Sequence, residues 1–121
     1  MSASFRKWDV VLLSYPFTDL SAIKVRPAVV ISPDSENGVL EDAVFLLITS
    51  NTTRLSPFDL VVDITHPEFA ATGLLNRSAI RVNKVWTLCN TLVRRTLGRL
   101  GPQLQHEVLN LLASYFGISI T

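Results

Sequence analysis

The sequence predicts a mainly β fold with one C-terminal helix. Short apolar runs alternate with turn-forming residues over the first two thirds of the chain, and the tail then changes to a helical period. The order of these segments does not resemble a parallel βαβ unit. We therefore predict about five to seven short antiparallel strands that form a small, partly open β-barrel or a strongly bent sheet. A single domain over residues 1–121 is expected from the length.

The first strands are predicted from runs of β-branched and apolar residues. DVVLLSY, Asp9–Tyr15, is followed by Pro16, which cannot donate a hydrogen bond to a neighbouring strand. The polar stretch Thr18–Val25 is longer than a tight hairpin turn, so we predict a mobile flap between two antiparallel strands. PAVVIS follows as the second strand, then the turn-rich stretch PDSENG. AVFLLIT, Ala43–Thr49, is predicted to be the third strand.

The second half contains weaker strand signals and a clear helix. FDLVVDI (Phe58–Ile64) and SAIRV (Ser78–Val82) are predicted strands, THPEFAATG is predicted loop, and VWTLCNTLVRRTLGRL is predicted to hold one or two short extended pieces. Six apolar residues in the tail share one helical face, namely Leu104, Val108, Leu111, Leu112, Tyr115 and Phe116. Pro102 suits the first turn of this helix, and Gly117 suits its C-cap.

Composition excludes several classes of protein. Of 121 residues, 48% are hydrophobic and 17% are charged, so we predict a folded chain with one core rather than a disordered one. The apolar runs are too short to span a bilayer, and the N-terminus lacks the apolar region of a secretory signal. The single cysteine, Cys89, excludes an intrachain disulfide and a thiolate metal site, so we expect a cytoplasmic location. From the short apolar runs we expect no membrane partner.

Charge is distributed unevenly, although the net charge is only +1. Residues 77–99 include six basic and no acidic residues, whereas the first 76 residues hold five basic and nine acidic ones. A basic surface of this kind is what a polyanion-binding face requires. Solvated strand ends and turns would give the same pattern, so charge alone leaves both interpretations open.

The stretch KVRPAVVIS sets an arginine at the start of an apolar strand. The planar guanidinium of Arg26 matches two phosphate oxygens and remains charged, which suits recognition of a phosphodiester. A surface residue that solvates the end of a strand is the alternative, and Arg26 taken alone does not distinguish the two.

Several stretches in their order along the chain resemble MazF/PemK-type toxins of type II toxin–antitoxin systems. The opening, WDVVLLSYPFTDLSAIKVRPAVVIS, carries an Asp at the start of the first strand, PFTD, and Arg-Pro-Ala before the second strand. LLITS ends the third strand with Thr and Ser. GLLNRSAIRVNKVWTL resembles the family's Leu-rich segment before a Ser-initiated strand, and LGRL precedes the last helix. The resemblance extends over nearly the whole chain.

This resemblance implies a homodimeric, SH3-like barrel of the CcdB/MazF/PemK toxin type and an endoribonuclease that needs no metal or other cofactor. Its substrate would be single-stranded RNA, usually messenger RNA, cut at short sequences, and its partner a cognate antitoxin that covers the flap. Arg26 and Thr49 match the family's catalytic pair. The RNA-binding residues expected from the flap, the strand ends and the basic segment are Phe17, Thr18, Asp19, Ser21, Lys24, Ser50, Ser78, Arg81 and Lys84.

Three positions depart from the family pattern. Trp8 stands where relatives usually carry a Gly, so a flexible entry to the first strand becomes a bulky anchor. Arg77 stands where relatives are often acidic. Lys24 and Val25 occupy the part of the flap in which some members carry a glutamate. These departures affect the expected RNA sequence preference more than the reaction class.

The chemistry implied by the resemblance is attack of a ribose 2′-OH on the adjacent phosphate. Arg26 would balance charge on the phosphate oxygens and Thr49 would offer a hydroxyl to the same phosphate. Arginine holds its proton too tightly to be an ordinary general base, so the proton steps stay unassigned. His66 and His106 are predicted to be solvated, and Asp9 and Asp19 fit strand-start and turn roles as well as acid–base ones.

The sequence allows two roles for several aromatic residues, base stacking and core packing. Trp8, Tyr15, Phe17 and Trp86 are of the type that stacks on unpaired bases, but core packing is the default for each of them.

Two alternatives of another kind stay open. The related CcdB toxin shares the barrel and inhibits DNA gyrase without catalysis through its C-terminus, which Phe116-Gly117-Ile118 faintly resembles. The other alternative is a degenerate barrel that binds an antitoxin and has no activity.

Overall fold

A computed structural model describes residues 5–16 and 23–119 of the chain. These residues form six strands, two α-helices and a 3₁₀ turn at Asn90–Leu92. In chain order the elements are β1 Asp9–Pro16, β2 Ile23–Val30, β3 Asp42–Thr49, β4 Asp59–Val62, α1 Phe69–Thr72, β5 Ser78–Cys89, β6 Val93–Arg99 and α2 Pro102–Phe116. The strands make one antiparallel sheet in the order β4-β5-β3-β2-β1-β6. The predicted fold class, mainly β with a C-terminal helix, is therefore confirmed.

Strong sequence signals gave accurate boundaries. The observed β1 and β3 each match one predicted end and extend one residue beyond the other, and α2 begins at Pro102 as expected. Gly117 is left-handed with φ 70° and caps α2, because its N–H donates to carbonyls of the last turn.

Other elements differ from the predictions. β2 begins at Ile23, inside the predicted flap, because residues 23–25 pair with the end of β1. Residues 18–22 of that flap lie outside the described part of the chain. β4 is shorter than predicted, β5 continues to Cys89, and α1 lies in the predicted loop.

The sheet buries apolar side chains on both faces. The face toward α2 is formed by Val10, Val29, Leu46, Ile48, Ile80 and Val82, which pack with Leu104 and Val108 of the helix. The opposite face carries Val11, Leu13, Ala28, Val30, Ala43 and Phe45, which pack with Phe5. Because alternate residues of a strand share a face, Arg26 belongs with Ala28 and Val30 on the side away from α2. None of the helices in the described residues has the length and apolar character needed to cross a membrane.

Trp8 replaces the expected glycine in a conformation that favours glycine. Its φ is 75°, and it is the one described residue other than glycine with a positive φ. Its N–H donates to Val30 O at 2.7 Å, its carbonyl accepts from Leu100 N at 2.9 Å, and its side chain is only 8% exposed. The left-handed backbone costs about 1–2 kcal/mol, whereas truncating a buried tryptophan costs about 3–5 kcal/mol. Burial therefore outweighs strain, and Trp8 is the bulky anchor that the sequence predicted.

Candidate functional site

A concavity of about 230 Å³ lies on the sheet face opposite α2, and we name it the Arg26 pocket. Its lining comes from β2, β3 and β5 and consists of Arg26, Leu47, Ile48, Thr49, Arg81, Lys84 and Trp86. Three of these residues are cations, one offers a hydroxyl and one is an indole. None of the lining residues is acidic.

Strand register brings Arg26 and Thr49 together from different parts of the sequence. Ala28 of β2 lies opposite Leu47 of β3 in their antiparallel ladder. The ladder ends at this pair, and Arg26 and Thr49 follow two residues beyond it on their strands, where both line the pocket. A step of two residues keeps a side chain on the same face of its strand, so Arg26 in the middle of β2 and Thr49 at the end of β3 lie on one face of the sheet.

A register shift between β3 and β5 affects which residues of β5 reach the same concavity, where Arg81, Lys84 and Trp86 line it. Leu46 pairs with Val85, but the next residue of β3, Leu47, pairs with Arg81. The three extra residues of β5 form a wide irregularity, which bends the strand. Trp86 lies opposite Phe45 and Arg81 lies opposite Leu47. Since Phe45 and Leu47 share a face, Arg81 and Trp86 share it as well, although their odd spacing would separate them on a regular strand.

The two residues predicted to be catalytic are accessible and chemically available. Arg26 is exposed, and its Nη1 donates to the adjacent Val25 carbonyl at 3.2 Å. Thr49 is half-buried, and its Oγ1 accepts from Asn51 N at 3.1 Å. Accepting that bond uses a lone pair of the oxygen, so the hydroxyl proton can still be donated to another acceptor. A guanidinium and an O–H donor therefore line one shallow site that suits an anion.

Arg81 is held in the pocket by a buried carboxylate. Its Nε donates to Asp59 Oδ1 at 3.2 Å, with the Arg81 side chain 33% exposed and the Asp59 side chain 0% exposed. The other carboxylate oxygen, Asp59 Oδ2, accepts from Ser56 N at 2.8 Å. Asp59 also lies directly opposite Arg81 in the β4–β5 ladder. The pair fixes the Arg81 side chain in the wall of the pocket.

Replacing Asp59 by asparagine is expected to lower the free energy of unfolding by about 1–3 kcal/mol. The amide keeps the size of the carboxylate but removes the charge that Arg81 faces, and its NH₂ group would point at a donor. Urea denaturation followed by circular dichroism measures the effect. Asp63→Asn is the matched control, because the Arg77–Asp63 pair at 3.3 Å is 45% and 47% exposed and should change stability by less than about 1 kcal/mol. Equal effects of both substitutions would contradict a special role for the buried carboxylate.

Carboxylates from the first 76 residues neutralise part of the basic segment. Arg77 pairs with Asp63, Arg81 with Asp59, and Arg99 with Asp9, at N–O distances of 3.3, 3.2 and 3.2 Å. Lys84, Arg94 and Arg95 are exposed. Arg77 and Arg99 of the basic segment therefore brace the chain through ion pairs, whereas Arg81 and Lys84 line the concavity. Polyanion binding by this segment stays a prediction.

Other predicted RNA-binding residues lie elsewhere. Lys24 is exposed on β2, two residues before Arg26 and outside the pocket lining. Ser50 lines a separate concavity of about 480 Å³, together with Leu12 and Pro27. Ser78 is buried, and its Oγ donates to Asn76 O at 2.8 Å. Phe17, Thr18, Asp19 and Ser21 lie outside the described residues.

The histidines do not line the Arg26 pocket. His66 was predicted to be solvated, but its side chain is only 16% exposed. Its Nδ1 accepts from Glu68 N at 3.0 Å, and its Nε2 lies 4.0 Å from Glu107 Oε2 of α2. His106 is exposed on α2, as predicted. Within residues 5–16 and 23–119, no three His, Cys, Asp or Glu side chains form a group that could hold a metal ion.

Sequence reasoning missed one residue of this site and left a second one undecided. Trp86 had two interpretations, base stacking and the default of core packing, and it is 37% exposed and lines the pocket. Asp59 was not singled out, because a lone acidic residue at the start of a strand carries no pairing signal. Both are linked to the pocket by strand register, which becomes visible only once the strands are paired.

Comparison with known proteins gives a family match. The model of the family described as "PemK-like, MazF-like toxin of type II toxin-antitoxin system" matches residues 6–116. None of the curated proteins matches the sequence.

Several solved structures have the same fold at low sequence identity. An endoribonuclease in complex with its cognate antitoxin from a mycobacterial species is 18% identical over 100% of both chains, with a TM-score of 0.71. A MazE–MazF complex from Deinococcus radiodurans is 21% identical, with 95% of this chain and 97% of that chain covered and a TM-score of 0.76. The Mycobacterium tuberculosis toxin MazF-mt6 is 17% identical, with 91% and 99% covered and a TM-score of 0.70.

Proposed function

Since the chain belongs to the PemK-like, MazF-like toxin family of type II toxin–antitoxin systems, we propose that it is an endoribonuclease toxin that cleaves single-stranded RNA at the Arg26 pocket. The observation that carries this proposal is that Arg26 and Thr49, from two separate strands, line one concavity together with Arg81 and Lys84. The low-identity relatives include proteins described as endoribonucleases.

The size and charge of the pocket support a polymeric anion as substrate. Its volume of about 230 Å³ is below the range of about 300–1,000 Å³ usual for small-molecule sites. A shallow site of this size suits one unit of a chain whose other units lie outside it. Three cations in the lining favour phosphodiesters, and single-stranded nucleic acid is commonly bound in such positively charged concavities.

We propose a reaction in which the ribose 2′-oxygen attacks the adjacent phosphorus and the bond to the 5′-oxygen breaks. The 2′-OH loses its proton, the leaving 5′-oxygen gains one, and the products are a 2′,3′-cyclic phosphate and a 5′-OH. Arg26 donates to the non-bridging phosphate oxygens, whose charge increases in the transition state. Thr49 donates a further hydrogen bond to the same phosphate. Both residues act on charge and position, and neither is assigned to the two proton transfers.

The remaining parts of the proposal concern partners and setting. A cognate antitoxin would hold the toxin, as in the relatives solved with one. An acidic, unfolded segment of that antitoxin lying over Arg26, Arg81 and Lys84 would be electrostatically complementary to the pocket. We further propose a cytoplasmic homodimer in which each chain is one toxin domain and messenger RNA is the target.

The proposed reaction predicts cleavage of single-stranded RNA that persists in excess EDTA. Purified protein is incubated with end-labelled RNA, and the fragments are analysed by mass spectrometry. Fragments that end in a 2′,3′-cyclic phosphate are expected, because the 2′-oxygen is the nucleophile. RNA with a 2′-deoxyribose at the cleaved position is the control, and it should stay intact at that position.

Three results would contradict the proposal. Loss of cleavage in EDTA would point to a metal-assisted reaction. Fragments with 3′-OH ends would point to attack of water on phosphorus with cleavage of the bond to the 3′-oxygen. Inhibition of gyrase supercoiling without RNA cleavage would favour the CcdB-like alternative.

A further inference from the structure

Trp86 lies in the part of β5 that pairs with β3 but not with β4, because the β4 ladder covers only Ser78–Arg81 of β5. It lies on β5 opposite Phe45, which is fully buried, yet 37% of Trp86 is exposed. The exposed part borders the Arg26 pocket. The chain has two tryptophans, and the other one, Trp8, is 8% exposed in the core on the helix side. Trp8 is therefore enclosed in the core, whereas part of Trp86 is accessible from the Arg26 pocket.

The surroundings of Trp86 are cationic. Arg26, Arg81 and Lys84 line the same concavity, and the Asp59 carboxylate that pairs with Arg81 is itself 0% exposed. An indole among several cations matches the two parts of a single-stranded nucleotide. The base is apolar on its faces and stacks on aromatic rings, while the phosphate binds the cations.

We propose that Trp86 forms a nucleobase subsite in which an unpaired base next to the phosphate bound at Arg26 stacks on the indole. This inference rests on the proposed function and adds a base-binding element to it. Stacking accepts every base because each has a π-face. The subsite therefore contributes affinity and fixes the strand relative to Thr49 and Arg26, and sequence readout would come from other contacts.

A non-cleavable ligand tests the subsite independently of catalysis. The probe is a short 2′-O-methyl RNA of mixed sequence, which keeps bases and phosphates but lacks the nucleophile. Intrinsic tryptophan fluorescence of the wild-type protein should be quenched on binding, and Trp86→Phe should abolish most of the quenching while binding is retained. Trp86→Ala should weaken binding about 5- to 150-fold, measured by anisotropy of a labelled probe. An abasic strand of the same length should bind Trp86→Ala and wild-type protein equally.

Controls separate base stacking from folding and from charge. The far-UV spectrum and melting temperature of each variant establish that it is folded, and Trp86→Phe, which keeps an aromatic ring, carries the test if Trp86→Ala is unfolded. The subsite is overturned if the probe fails to bind or leaves wild-type fluorescence unchanged. It is also overturned if folded Trp86→Ala binds as tightly as wild type, or if polyglutamate gives the same quenching as the probe.

The outcomes distinguish this inference from the proposed function. Quenching without any cleavage of natural RNA would retain the subsite and reject the nuclease. Cleavage of natural RNA without quenching would retain the nuclease and reject the subsite.

Discussion

Arg26→Ala is expected to lower the rate of RNA cleavage at least about a hundredfold, which corresponds to about 3 kcal/mol of transition-state stabilisation. The guanidinium donates to phosphate oxygens whose charge increases during the reaction, so its removal costs more in the transition state than in the bound substrate. We therefore expect kcat to fall and KM to change little. Single-turnover cleavage of a labelled RNA at saturating protein measures the chemical step directly.

The fold should tolerate this substitution. Arg26 is exposed, and its described hydrogen bond is to the carbonyl of its own neighbour, Val25. Exposed substitutions of this kind usually change stability by less than about 1 kcal/mol. The matched control is Arg94→Ala, which removes the same charge from an exposed strand residue outside the pocket lining. Arg94→Ala should cleave within a few-fold of wild type.

Arg26→Lys separates charge from shape. Lysine keeps the positive charge but loses the planar fork, so an intermediate rate is expected. If folded Arg26→Ala cleaved at the wild-type rate, Arg26 would not be catalytic, whatever its position. If Arg94→Ala lost as much activity as Arg26→Ala, the effect would be one of overall charge.

The elements predicted best from the sequence are those whose local pattern and tertiary environment agree. β1 and β3 are apolar runs that are buried on both faces of the sheet, and α2 buries one periodic apolar face, so their residue types and their burial point to the same structure. α1 has no such pattern. It is four residues long, lies between Pro67 and Gly73, and forms where the chain packs against β6. A helix that depends on a distant strand leaves no periodic signal in its own residues.

The candidate site was predictable in part. Arg26 and Thr49 were found through the resemblance, and Arg81 and Lys84 through the charge of their segment. The sequence left Trp86 between core packing and base stacking. Regular alternation along β5 would place residues 81 and 86 on opposite faces. The three-residue shift between Leu46 and Leu47 reverses that assignment. The shift is a property of two paired strands, and one strand read alone does not reveal it.

Gly98→Ala is expected to lower the free energy of unfolding by about 3 kcal/mol, and the melting temperature by about 10 °C. A Cβ at this position would lie 2.3 Å from Ala71 O and 2.4 Å from Thr72 C, which are backbone atoms of α1. No rotamer relieves a clash between Cβ and backbone, so β6 or α1 must move. β6 cannot move freely, because Gly98 lies opposite Val10, which is fully buried.

Gly117→Ala is the control that separates close approach from backbone strain. Gly117 has a φ of 70°, but a Cβ there would meet nothing within 4 Å. Alanine at position 117 would lower the free energy of unfolding by about 1 kcal/mol through the left-handed backbone alone. Gly98 is not left-handed, so the effect of Gly98→Ala would come from steric contact alone. Urea denaturation of both variants decides between these causes. If Gly98→Ala were no less stable than Gly117→Ala, α1 would not be held tightly against β6. If Gly98→Ala were much less stable than Gly117→Ala, a glycine would be needed in LGRL because α1 packs closely against β6 there. The segment α1 leads directly into β5, the strand that carries Arg81 and Trp86.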